Sequence, residues 1–160
     1  MVCSVVRQMA LALLLIIAGI SLTQCTGPGT NTNNVTISTD RSQYLEYETV
    51  NITIMNELGQ DLKGTIFTER YNERDIEWID IDVGEFEVAE QFEDVAKSYG
   101  PAASIENLPD QDILSIKWTP RTQEPIGIVT VSHGKHRIRV VAELDVTIAT
   151  YYSNEFIIKE

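Results

Sequence analysis

The residue types here whose chemistry could reach beyond packing are two cysteines, two histidines and an excess of carboxylates. The chain has 160 residues, with 24 Asp and Glu against 12 Lys and Arg. His133 and His136 stand three apart around Gly134. As metal ligands they would need a third partner, and on a hairpin this spacing does not bring both to one side. A turn in which Gly134 takes a positive φ explains them more simply. The carboxylates Asp80, Asp82, Glu85, Glu87 and Glu90 are oxygen donors of the kind a hard cation such as calcium takes. Asp80 and Asp82 share one strand face, and Gly84 could turn the chain so that Glu85 joins them. No D-x-D-x-D-G loop accompanies them, and a solvated strand face whose charges oppose edge-to-edge aggregation is the competing reading. The expectation is no metal and no other cofactor, with Asp80, Asp82 and Glu85 as the calcium candidates. No G-x-S-x-G, H-E-x-x-H or phosphate-cradling glycine loop is present, so no catalytic residue and no enzyme is expected.

The elements that would carry these residues begin with an unusual first stretch. From Met9 to Leu22 every residue except Gly19 and Ser21 is apolar, and Arg7 is the only charge before them. A cationic start, a short apolar core and a polar exit form the layout of a secretory leader. A membrane-spanning helix needs roughly 18 or more apolar residues, more than this run supplies. Cys3 and Cys25 lie in or at the end of the leader, so the remainder must fold without a disulfide. That remainder keeps all the carboxylates and all but one of the cations, so its charge is strongly negative. Such a surface stays soluble and repels nucleic acid and anionic head groups.

The residues Leu22-Thr23-Gln24-Cys25 resemble the lipobox of bacterial lipoproteins, with Leu three places before the cysteine and Gln24 where a smaller residue is usual. The resemblance implies a leader cut after residue 24 and a diacylglyceryl group on Cys25. It also implies, from Thr26 in the next position, an outer-membrane location if the organism has two membranes. Each buried methylene contributes about 0.8 kcal/mol, so two or more acyl chains hold stably. Thr26 to Asn34 is small, polar and aperiodic, as a flexible tether should be. An ordinary signal peptide with a leftover cysteine, or an uncleaved anchor, remains the alternative.

From Val35 the dominant period is two, the signature of half-buried strands. Val35 and Ile37 alternate with polar residues, as do Val50, Ile52 and Ile54. The same holds for Ile79, Ile81 and Val83, for Leu114, Ile116 and Trp118, and for Ile138, Val140, Ala142 and Leu144. Phe156 and Ile158 close the series. Apolar faces with few helices to cover them must meet each other, which predicts two antiparallel sheets packed face to face. Val88, Phe92, Val95, Ala96 and Tyr99 fall at helical spacing before Gly100-Pro101, which predicts one short helix in a long crossover from Glu85 to Asp112.

The run Gly134-Lys135-His136-Arg137-Ile138-Arg139, followed by Tyr152-Ser153-Asn154-Glu155-Phe156-Ile157-Ile158, resembles the closing strands of bacterial immunoglobulin-like domains. Tyr44, Glu48 and the strand from Val50 to Ile54 fit the opening of the same family. The resemblance implies an immunoglobulin-like sandwich over residues 35–160, after a signal peptide at 1–24 and a lipidated cysteine with its tether at 25–34. The expected function is an envelope lipoprotein, held to a membrane through Cys25, whose domain binds another envelope protein or a polysaccharide and no nucleic acid. The Glu85–Asp112 connection is the favoured contact, because long loops in compact domains tend to be functional. The alternative is a lipid-anchored inhibitor of an envelope hydrolase or protease.

Overall fold

The computed structural model describes residues 34–123, 127 and 129–160. The signal peptide, Cys25 and the tether as far as residue 33 lie outside the described residues. The strands are β1 (Asn34–Thr39), β2 (Gln43–Leu45), β3 (Val50–Glu57), β4 (Leu62–Asn72) and β5 (Glu77–Asp80). After them come β6 (Glu85–Val88), a 3-10 turn (Glu90–Phe92), β7 (Ala96–Ser98), β8 (Ala102–Leu108) and β9 (Ile113–Thr119). The chain continues through β10 (Arg121–Gln123), β11 (Val129–Val131), β12 (Gly134–Leu144), β13 (Thr147–Tyr152) and β14 (Phe156–Lys159). A four-stranded sheet runs β1-β3-β9-β6, and an eight-stranded sheet runs β2-β14-β12-β4-β8-β7, with β13 also on β12 and β5 also on β4. A separate ribbon pairs β10 with β11.

The two large sheets form a β-sandwich because their alternating strands present one apolar face each. Ile52, Ile54, Leu114, Ile116 and Trp118 from one sheet share a core with Ile66, Ile138, Val140, Phe156 and Ile158 from the other. Trp118 meets His136 at 5.6 Å and Phe156 at 6.2 Å between ring centroids, and Tyr44 meets Phe156 edge-on at 5.7 Å. Gly84, at φ +102°, leaves room for this cluster: a Cβ there would overlap the Trp118 indole nitrogen. Asn56 is fully buried and ties two connections together. Its Nδ2 donates to the carbonyls of Gln60 and Leu108, each at 2.9 Å, while its Oδ1 accepts from Leu58 N–H at 3.1 Å.

One irregularity sets the position of the last strand. His136 pairs with Phe156 and Arg139 with Tyr152, so Arg137 and Ile138 on β12 face Ser153, Asn154 and Glu155 across the gap. The extra residue is a β-bulge. It changes the parity of the chain: Tyr152 points outward, yet Phe156 and Ile158 point into the core. Ser153 occupies the gap by accepting from Ile138 N–H at 2.9 Å through Oγ and donating its own N–H to Ile138 O at 2.9 Å. Asn154 fastens the bulge to β1, accepting from Thr39 N–H and donating to Thr39 Oγ1 at 3.0 Å.

Three expectations are corrected. The segment Val88–Tyr99 is not a helix: it holds the end of β6, one 3-10 turn and β7. The turn lacks a side-chain cap, and the Val95 carbonyl accepts from Glu106 and Asn107 N–H across the sheet instead of from a following helical turn. Gly100, at φ +76°, belongs to a hairpin between β7 and β8 and not to a helix stop. The Glu85–Asp112 stretch is therefore not a crossover loop, because three strands take up half of it. Finally, the sandwich is not wholly antiparallel, since β14 pairs with β2 in parallel.

Candidate functional site

Two surfaces of the sandwich depart from an ordinary solvated strand face. The first is a groove on the outer face of the four-stranded sheet. On the outer face of β3 and β9 the register sets Asn51 opposite Lys117 and Thr53 opposite Ser115, with the apolar pair Met55 and Ile113 following them. On the next strand Glu87 stands opposite Lys117, with 3.7 Å between carboxylate and ammonium. Beyond β6 the chain folds over this face instead of leaving it, and Ala89, Gln91 and Phe92 form a wall. The space so enclosed is about 220 Å³. Hydroxyl and amide groups line the floor, one ion pair cancels its own charge, and one aromatic ring stands at the side. Asn51 is oriented by Asp40, whose carboxylate accepts from Asn51 N–H at 3.1 Å and from Nδ2 at 3.0 Å. Burial acts to raise the Asp40 pKa, but hydrogen bonds from Tyr44 and Asn51 hold it below the usual carboxylate value.

The second surface is the outer face of the eight-stranded sheet. Glu69 points outward from β4, yet it is only 4% exposed. Arg137 Nε donates to it at 2.6 Å, and Arg139 Nε stands 3.4 Å away. The Arg137 guanidinium lies between the rings of Trp78 and Tyr152, at 4.3 and 4.0 Å from their centroids. Arg139 covers Phe67 and donates to Asp80 at 2.8 Å; Lys135 covers Tyr71. The face is roofed by its own arginines and aromatic rings. Alternating types along β12 (Lys135, Arg137, Arg139) are the sequence signal for it, but their aromatic partners come from distant strands.

The residues singled out by sequence are dispersed. Asp80 is spent on Arg139, Asp82 lies beyond the end of β5, and Glu85 opens β6 on the opposite sheet. Among the described residues no three His, Cys, Asp or Glu side chains converge as metal ligands would. His133 faces outward and pairs with Glu46 at 2.8 Å, whereas His136 is wholly buried. Gly134 takes φ +108° between them. The His136 ring is fixed by two bonds: Nδ1–H donates to Gly134 O and Nε2 accepts from Ser132 Oγ, each at 2.9 Å. Burial pushes its pKa down to about 4. A neutral, enclosed imidazole of this kind is a core residue and not a general base open to substrate.

No protein-family model matches the chain, and none of the curated proteins matches it. Among solved structures it is similar to two of the human F-spondin reeler domain. One, at TM-score 0.51 and 11% identity, covers 78% of this chain and 92% of that one. The other, at TM-score 0.50 and 13% identity, covers 78% and 89%. At such identity the likeness is one of fold.

Proposed function

We propose that this protein is an envelope lipoprotein, anchored through Cys25, whose immunoglobulin-like domain binds an uncharged glycan chain in the groove on its four-stranded sheet. The observation that carries this reading is the groove itself. A chain with net charge −12 presents there a locally neutral floor of Asn51, Thr53 and Ser115 beside the Phe92 ring. A sugar ring has the same division, with hydroxyls at its edge and C–H bonds on its face. Concave sites with an apolar wall and a few placed polar groups are the usual form of small-ligand pockets. Glu87 is the one carboxylate among the lining residues, whereas glycoside hydrolysis ordinarily uses two flanking the bond, so the reading is binding without cleavage.

Titration of the full chain in detergent with neutral envelope glycan oligomers tests it. Saturable binding should be lost on Ser115→Glu with the melting temperature unchanged, and on Phe92→Ala with some loss of stability, since Phe92 also packs against the core. Absence of binding to every neutral oligomer, or binding indifferent to these substitutions, would sink it. The alternative of a hydrolase inhibitor requires a rigid projecting loop, and the β4–β5 hairpin is the feature that meets that need.

A further inference from the structure

The tip of the β4–β5 hairpin holds a residue that the fold does not want. Ile76 has φ +57° and is 77% exposed. The left-handed region is unfavourable for any residue with a Cβ and worst for a β-branched one, and Gly or Asn would make the same turn freely. Backbone strain of this kind persists only where the surroundings enforce it, and it concentrates at sites of contact. The enforcement is visible. Asn72 Nδ2 donates to Asp75 Oδ2 at 2.7 Å, and Arg74 N–H donates to Asn72 Oδ1 at 3.1 Å. Below the tip Tyr71 pairs with Trp78, their rings 5.3 Å apart, and Lys135 and Arg137 lie over those rings. The hairpin is thus stiff, with an isoleucine held out where it stabilises nothing in its own chain.

We infer that this hairpin is a docking element for another protein, with Ile76 as the anchor that enters an apolar pocket ringed by cationic side chains. Charge decides between occupants. Glu73, Asp75 and Glu77 outnumber Arg74 around the anchor, so the tip repels a second copy of itself, an anionic bilayer and nucleic acid alike. A protein pocket with a basic rim is what complements one apolar projection inside an acidic ring. Preorganisation cuts the ordering cost of binding, which lets a single aliphatic side chain serve as an anchor. This inference rests on different residues from the glycan groove and stands or falls separately.

A photo-reactive phenylalanine analogue placed at Arg74 in the full chain, irradiated in envelope extract, identifies the contact. The cross-linked protein is then purified and titrated against the wild-type chain. Ile76→Ala should weaken binding roughly tenfold or more. Ile76→Gly should weaken it as much while raising the melting temperature by a few degrees, since it removes the left-handed strain. Added salt should weaken binding further as the rim charges are screened. Phe92→Ala should leave it unchanged. The inference is overturned if no partner cross-links, if Ile76→Ala binds with unaltered Kd, or if the cross-link maps to an acidic or polar surface. It is equally overturned if the tip captures only another copy of this chain, or if a Cys25→Ser chain sediments with zwitterionic or anionic vesicles in an Ile76-dependent way.

Discussion

His136 is a buried titratable group, and its surroundings give the protein an acid limit. Trp118 and Phe156 flank the ring and burial strips it of water, Arg70 adds positive charge nearby, and Ser132 occupies Nε2. In the unfolded chain this ring takes a proton near pH 6.5, whereas in the fold it resists until about pH 4. Between those values the unfolded state binds the extra proton. Stability is therefore complete above pH 6.5 and is lost progressively as pH falls toward 4, by about 3 kcal/mol in all. Urea unfolding across this window should show the decline, and His136→Gln should flatten it. Arg137 poses a different question, because its charge is already answered by Glu69 while its two flat faces are both occupied. Arg137→Ala should cost about 2 kcal/mol through lost stacking and the loss of the hydrogen bond to Glu69, which keeps only Arg139 as its ionic partner. Arg137→Lys should recover little of that, since an ammonium cannot lie flat between two rings and donate from Nε at once. Denaturant midpoints for the pair would separate packing from charge.

Among the elements, the bulge at Ser153–Glu155 governs which face of the last strand meets the core. Deleting Asn154 would remove the extra residue while leaving Phe156 opposite His136 and facing the core, so the deletion variant should still fold cooperatively, weakened by the lost hydrogen bonds between Asn154 and Thr39. Circular dichroism and a thermal scan would show it; loss of the cooperative transition would refute this account of the bulge. The same logic explains what was legible in the sequence. β1, β3, β9 and β12 were readable because most of their outward residues are polar and most of their inward residues apolar. The central strand β4 was not, since Phe67 and Tyr71 point outward while Gly64 and Thr68 point inward, which erases the alternation. The outward aromatics make sense only once Arg139 lies over Phe67 and Lys135 over Tyr71, pairings between residues far apart in the chain. Val88–Tyr99 misled for the opposite reason. Its apolar residues fall at helical intervals, but backbone bonding to β8 was available and outweighed a turn without a cap. The groove was invisible for a related cause: its floor comes from β3 and β9 and its wall from the chain after β6. The sequence did point to Glu85–Asp112 as a region of interest, although as a loop and not as strands that frame a surface.

For the whole molecule, the path of the strands separates where the chain enters from where it could dock. Asn34 pairs with Glu57 at one end of the sandwich, and β4 begins close by at Leu62. It then runs its full length away from that end to Asn72. At about 3.3 Å per residue this carries the Ile76 tip roughly 35 Å from Asn34. The order of strands has a last consequence. β14 sits between β2 and β12, and its Phe156 seals the cluster of Tyr44, Trp118 and His136. A chain emerging from a ribosome or a translocation pore keeps those rings uncovered until β14 arrives. Burial of the aromatic centre therefore waits on β14, so a chain cut short before Phe156 would stay open to proteases.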